Sequence, residues 1–304
     1  MVKVAVAGGT GGIGRHIVDA ILNMQLHQVV VLSRSPHHAY LQSRGAEVIA
    51  VSYDDPTSLE NALRGVHTVI STISDGGNIN AWVASQRALL QASVQAGAKR
   101  FAPSEFNARP SRLNDPVELY TYKAVVAEAA KNSGLEYTLF ENGVFMNYLA
   151  SGTKGVGYLN PLKFVFDVEN YSAKIPGDGN SEISWTRGED VGAFVAASLE
   201  LESWPEVSWM AGDRKSFNEI LKLAEKVRGK TFDVTYVSAD DLRKQIQPNP
   251  PSVMTNFFSQ GLLNMIDTQE FRPAEPNLNV LCPQVKPLGA EEFLNAWWGE
   301  PKKE

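Results

Sequence analysis

Apolar positions along this chain fall into two alternating rhythms. Residues 2–7, 28–32, 47–52 and 67–74 are short runs rich in valine and isoleucine. Runs of this kind, apolar without a break, read as strands buried on both faces in a parallel sheet. Between the first two, Ile13, Ile17, Val18, Ile21 and Leu22 recur at helical spacing, which predicts a helix with one apolar face. The alternation continues. Tyr53-Asp54-Asp55-Pro56 ends the third strand and caps a helix around residues 58–63, residues 80–96 form a helix closed by Gly97, and residues 99–102 begin a fifth strand. A helix over 116–133 has Pro116 in its first turn and Gly134 as its stop, and 136–140 is a sixth strand. Strands and helices in this order predict an α/β fold of Rossmann type, a doubly wound parallel sheet with right-handed crossovers, over residues 1–150.

After about Leu149 the rhythm breaks up into glycine, asparagine and aromatic residues. A helix from Arg187-Gly-Glu-Asp-Val-Gly192 to about Leu201 and a strand at 207–210 return to the sheet, so 187–215 is assigned to the first domain. Residues 216–228 read as helix, 234–237 as strand and 239–247 as a helix broken by Pro248-Asn-Pro-Pro251. Residues 151–186 and 216–304 are expected to form a smaller α+β substrate lobe. Its Phe257, Phe258, Leu262, Leu263, Phe271, Phe293, Trp297 and Trp298 suit either an apolar pocket or the lobe's own core.

The first strand runs directly into Gly8-Gly-Thr10-Gly11-Gly12-Ile13-Gly14 and then into the helix. Gly8 permits the tight turn, Gly11 lets a backbone approach a pyrophosphate without a Cβ in the way, and Gly14 lets helix and strand pack closely. Free amides at the helix start then face the phosphate charge, which makes a dinucleotide the expected ligand. At the end of the second strand, about 20 residues on, stands Ser33-Arg34-Ser35. An acidic residue there would take a ribose 2′-hydroxyl, whereas an arginine suits a 2′-phosphate, so NADPH is favoured over NADH. Ligands of such sheets lie beyond the strand carboxyl ends, where Asp54 (near the adenine, or merely capping), Ser71 and Thr72 (near the cofactor's middle), Ser104, Glu105, Asn142 and Phe145 all fall.

Composition narrows the picture. A net charge of -6 and a pI near 5.5 show no basic stripe for a nucleic-acid backbone. Cys282 is the single cysteine, which excludes an intramolecular disulfide and suits a reducing compartment. No apolar run approaches a membrane span, and the chain enters its first strand at once, leaving no room for a signal sequence, so a cytoplasmic protein without membrane partners is expected. The five histidines are scattered, with no metal-ligand spacing among them. Subunit number is not set by the sequence; a homodimer is compatible with it.

The glycine turn, Arg34, Arg100-Phe-Ala-Pro-Ser104-Glu105-Phe106, Lys123 and Asn142-Gly-Val-Phe145, with the return at Arg187–Gly192, resemble the NmrA-like, isoflavone-reductase-like branch of atypical short-chain dehydrogenases. The resemblance implies an NADPH-dependent reductase of a C=C or C=O bond in a small aromatic or conjugated molecule, in which the helical lysine is the usual catalytic group. Carried to this chain, Lys123 binds the nicotinamide ribose and stabilises or protonates the developing negative charge on substrate. Typical short-chain dehydrogenases also carry a tyrosine four residues before that lysine; here Leu119 stands there. Tyr120, three residues before Lys123, projects within about 60° of the same helix face and is the candidate donor, while Tyr122 reads as packing. Two other readings stay open: an NADP(H)-binding redox sensor without turnover, and a biosynthetic cyclisation or condensation enzyme on the same scaffold.

Overall fold

In a computed structural model of the chain, which describes residues 1–74, 77–267 and 275–300, the first apolar run sorts its side chains by a period of two. On β1 (Lys3–Ala7), Val4 and Val6 enter one core while Ala5 and Ala7 enter another. A strand buried on both faces requires helices on both sides, and the chain supplies them in order: α1 (Gly12–Met24), β2 (Gln28–Ser33), α2 (Ala39–Ser43), β3 (Glu47–Ala50), α3 (Pro56–Ala62), β4 (Thr68–Ser71), α4 (Ile79–Gln95), β5 (Arg100–Ala102), α5 (Glu118–Lys131) and β6 (Glu136–Tyr137). These six strands pair in parallel in the order β3-β2-β1-β4-β5-β6. The order reverses between β1 and β4, and a crevice opens at such a switch point.

The expected sixth strand is split. Its first part pairs with β5 as β6, whereas β7 (Leu139–Glu141) pairs in parallel with β12 (Val207–Trp209), the strand that follows the returning helix α6 (Gly188–Ser198). The handover falls at Thr138, whose hydroxyl meets that of Ser208 at 2.8 Å. The helix expected from Pro116 begins two residues later, because the Asp115 carboxylate takes the Val117 N–H and holds the preceding turn. α6 lies across α1 at close range. A Cβ on Gly192 would come within 2.5 Å of the His16 carbonyl, so that glycine sets the approach of the two helices.

The remaining segments build two small sheets. One joins β9 (Phe166–Asp167), β10 (Ser172–Pro176) and β14 (Asp233–Val237), and the other joins β8 (Val144–Phe145), β11 (Glu182–Thr186) and β13 (Asp213–Ser216). Around them pack α7 (Phe217–Arg228), α8 (Ala239–Gln245), α9 (Val253–Asp267) and α11 (Ala290–Trp298), while α10 (Leu278–Leu281) puts Leu278 into the core shared by α1 and α6. The core of the two small sheets is Ile175, Ile183, Trp185, Phe217, Ile220 and Phe293, at about 1.5–3 kcal/mol for each large side chain removed from water. Phe293 is therefore core and Trp298 packs against it, while Trp297 is 39% exposed; Phe271 lies outside the described residues. Among the described residues no helix is long and apolar enough to cross a membrane.

Candidate functional site

Beyond the carboxyl ends of β1, β2 and β4 lies a cleft of about 850 Å³. The turn that floors it is built on Thr72, whose N–H and hydroxyl both donate to the Ala7 carbonyl at 2.8 Å. Gly8 sits there at φ +82°, and a Cβ on Gly14 would lie 2.3 Å from the Thr72 hydroxyl. Both glycines are demanded by the fold. Gly9, outside the spaced triplet, carries the helix–strand contact proper, since a Cβ there would meet Val18 at 2.8 Å. Gly11 and Gly12 differ in kind: a Cβ on either would point into open space.

Gly11 is the N-cap of α1, makes no side-chain cap and is followed by no acidic residue in the first turn. A helix N-terminus leaves its first amides without partners inside the helix, and here no side chain of the cap consumes them or neutralises the positive end of the helix dipole. Backbone N–H groups facing an open concavity fit a phosphate. The cradle therefore fits a dinucleotide.

Gly8, Thr10, Gly11, Gly12, Ile13, Ser33, Arg34 and Thr72 all line this cleft. Arg34 makes no hydrogen bond or ion pair among the described residues, and its charge partly offsets the burial that pushes the Tyr53 hydroxyl up to about 12. Ser33 is tied locally: its hydroxyl meets His38 Nε2 at 3.1 Å and accepts the Ser35 N–H at 3.2 Å. The cleft also includes His38, Tyr53, Trp82, Ser85 and Asn160, which sequence reasoning did not single out. Trp82 and Ser85 share a face of α4 three residues apart, a signal that was present; Asn160 comes from a loop after β8 and gave none. Eight residues assigned to the cofactor stand apart from the lining: Gly14, packed on Thr72; Ser104, Glu105 and Lys123, described below; and four more. Asp54 is exposed, with its neighbour Asp55 capping α3; Ser71 is wholly buried; Asn142 is wholly buried; and Phe145 packs edge-on to Tyr148 at 6.0 Å.

A second group gathers along the same sheet edge, past β5 and β7. Lys123 Nζ donates to the Glu105 carbonyl at 2.5 Å and to Asn107 Oδ1 at 2.6 Å, which fixes the ammonium against the loop that contains Ser104. The Glu105 side chain is buried, accepts from Asn107 Nδ2 and accepts from Ser111 Oγ at 2.9 Å. Burial pushes its carboxyl up to about 7, against the pull of Lys123. Tyr120 is buried as well; its hydroxyl takes the Ala108 N–H at 3.4 Å and burial holds its pKa above the phenol range. Its ring packs on Phe257 and beneath the Arg109 guanidinium, 5.2 Å from the ring centre.

Arg109 and Asp115 form a buried two-pronged pair at 2.7 and 2.8 Å, and Arg109 Nε donates to Asn264 on α9 at 2.9 Å. Gln260 of α9 accepts the first N–H of α5 at 3.1 Å. The helix holding Lys123 is thus roofed by α9, with Val253, Met254 and Phe257 against Val117 and Tyr120. Among the described residues no group of three or more His, Cys, Asp or Glu is placed to hold a metal ion.

The arrangement matches known proteins over nearly its whole length. The oxidoreductase BOA1 of Botryotinia fuckeliana is 34% identical over 241 residues, 76% of this chain and 78% of its own. A phenylcoumaran benzylic ether reductase of Pinus taeda is 27% identical over 312 residues, 96% of this chain and 97% of its own. The solved structure of AtPrR2 with NADP+ and (+)-pinoresinol superposes with a TM-score of 0.78 at 25% identity, over 97% of this chain and 98% of that one. The model of the NmrA-like family matches residues 2–294, and the chain belongs to that family.

Proposed function

We propose that this protein is an NADPH-dependent oxidoreductase that reduces a C=C or C=O bond of a small aromatic or conjugated, secondary-metabolite-type molecule. The observation that carries the reading is one cleft lined both by an uncapped helix start with open glycines and by Arg34. The backbone amides of Gly12, Ile13 and Gly14 hold the pyrophosphate, and Arg34 with Ser33 and Ser35 holds the ribose 2′-phosphate. NADPH supplies a hydride when bound. Support for the substrate class comes from the ether reductase and pinoresinol-bound relatives, whose names describe aromatic substrates.

Lys123 is the catalytic group of this reading. Its ammonium, held by Glu105 and Asn107, stabilises and then protonates the negative charge that develops as the bond is reduced. Tyr120 is left out of the chemistry, since its hydroxyl is enclosed and already engaged with Ala108. Residues 151–186 and 216–304 supply the substrate lobe, with α9 closing over the lysine. The test is a screen of NADPH oxidation against aromatic and conjugated metabolites, followed by Lys123→Ala on the substrate found. Turnover should fall at least 10²-fold, the lower end for a positioned proton-transfer group, with NADPH preferred to NADH. Saturable NADPH binding with no turnover of any substrate would favour the sensor reading, and an active Lys123→Ala enzyme would remove the lysine from its role.

A further inference from the structure

The residues that line the cofactor cleft fall between Gly8 and Ser85 with one exception, Asn160. It is carried there by the segment after the short 3-10 turn Lys154–Val156, from the part of the chain otherwise given to the substrate lobe. Asn160 is exposed and makes no hydrogen bond among the described residues, so its amide is open to a ligand. A solvated asparagine is ordinary on a protein surface. What sets this one apart is how firmly its neighbours are held.

Two residues before it, Tyr158 is fixed to α1 by its hydroxyl, its N–H and its ring. The hydroxyl donates to Asp19 Oδ2 at 2.9 Å, the N–H donates to His16 Nε2 at 3.3 Å, and the ring centre lies 4.8 Å from that of His16 and 5.0 Å from the Arg15 guanidinium. Gly157 allows this approach: it stands at φ +62°, and a Cβ there would be 2.9 Å from His16. Leu159 is buried, and beyond Asn160 the Leu162 N–H and carbonyl both bond the Ser151 hydroxyl at 3.0 Å. The loop is thus pinned on both sides of Asn160, close to the phosphate cradle. His16 is four residues past Gly12, about 6 Å along the helix axis, and two residues of extended chain span at most about 7 Å. A loop tied to His16 therefore reaches the helix start. There the cradle offers a diphosphate backbone N–H groups from α1 alone, whereas Asn160 offers an N–H donor from outside that helix.

We infer that Asn160 is a cofactor ligand whose side-chain amide donates to the diphosphate held at the start of α1, and that Tyr158 is the positioning residue that keeps it there. The inference rests on the NADPH reading of the cleft and is independent of Lys123 and of the substrate. It makes the loop after Lys154–Val156 part of the cofactor site, so that the dinucleotide is gripped from both lobes. The amide oxygen of an asparagine could instead accept from a ribose hydroxyl. An aspartate keeps an acceptor, loses the donor and adds a negative charge, so Asn160→Asp separates the two contacts.

Fluorescence titration with NADPH and with NADH tests this without turnover. Asn160→Ala should raise the NADPH Kd about tenfold, as loss of a hydrogen bond to a charged group does, and Asn160→Asp should raise it further. Both losses should be equally large for NADH, which shares the diphosphate and lacks the 2′-phosphate. Thermal midpoints without nucleotide should not move, since the amide bonds nothing in the fold. Tyr158→Ala should weaken NADPH binding in the wild-type background and add nothing to Asn160→Ala, the mark of a residue that acts through another. Asn160→Asp with wild-type affinity, or a loss confined to NADPH, overturns the diphosphate contact. Full additivity of Tyr158→Ala and Asn160→Ala overturns the role of Tyr158. A wild-type protein that binds neither nucleotide would instead remove the cofactor reading itself, and the inference with it.

Discussion

At the scale of single residues, the glycines of the first turn divide by what a methyl group would touch. Gly14 has the Thr72 hydroxyl at 2.3 Å and the Gly8 carbonyl at 2.5 Å from a would-be Cβ, and the nearer neighbour is locked by its bond to Ala7. Gly14→Ala should therefore destabilise the protein by about 1–3 kcal/mol, as overpacking does, and lower its thermal midpoint. Gly11 is extended, at φ -159°, a backbone that any residue adopts, and has nothing within 4 Å. Gly11→Ala should leave the thermal midpoint within the range of neutral surface changes and yet weaken NADPH binding, read by fluorescence titration. A Gly11→Ala protein that binds NADPH as well as the wild type would mean that the phosphates lie elsewhere. Spacing in the sequence marked both positions but did not distinguish them, because the distinction rests on Thr72, 58 residues further on from Gly14. The burial of Glu141 was invisible for a related reason: a glutamate at the end of a strand looks solvated until β12 and the 105–107 loop are seen to enclose it.

At the scale of elements, legibility followed locality. The first five strands and the helices α1, α3 and α4 were readable because each carries its own signal, an apolar run, a period of 3.6, or a cap such as Asp55 on α3, whereas α2, five residues long with no side-chain cap, was not anticipated. What failed was non-local. Short strands such as β8 and β9, of two residues each, are defined by the strands they meet rather than by their own composition. The break at Thr138 likewise depends on Ser208. The α5–α9 contact belongs to this class, and it rests on Arg109, whose guanidinium joins Asp115 at the start of α5 to Asn264 on α9. Arg109→Met should fill similar space while stranding a carboxylate whose side chain is 0% exposed, at about 3 kcal/mol. A denaturant melt should report that loss, and faster hydrogen exchange in α9 than in α1 should locate it. An undiminished melt would mean that Arg112, 3.8 Å from the same carboxylate, takes over the pairing.

For the whole molecule, the buried acids and the buried histidine set opposite limits on stability with pH. His16 is held below its usual 6.5 mainly by burial, so its neutral form is favoured in the fold; stability is complete above 6.5 and declines as pH falls below it, where the unfolded chain binds the extra proton. The acids run the other way. Glu105 is raised from 4.5 to about 7, and Glu141 is raised well above 4.5, so over that window the folded protein holds more protons than the unfolded chain and stability declines as pH rises. These slopes overlap, but a variant separates them. Below pH 4.5 a glutamate at 141 is protonated in both states and Glu141→Gln differs from the wild type only by a constant. Above that, ionisation favours the unfolded wild-type chain alone, and the variant should gain on it by about 1.4 kcal/mol per pH unit until Glu141 ionises in the fold. Urea unfolding of the two proteins at pH 5, 6 and 7 checks this. Parallel curves would require an ionised Glu141 in the folded protein, with Lys123, Arg109 and the Asn107 backbone N–H prevailing over burial.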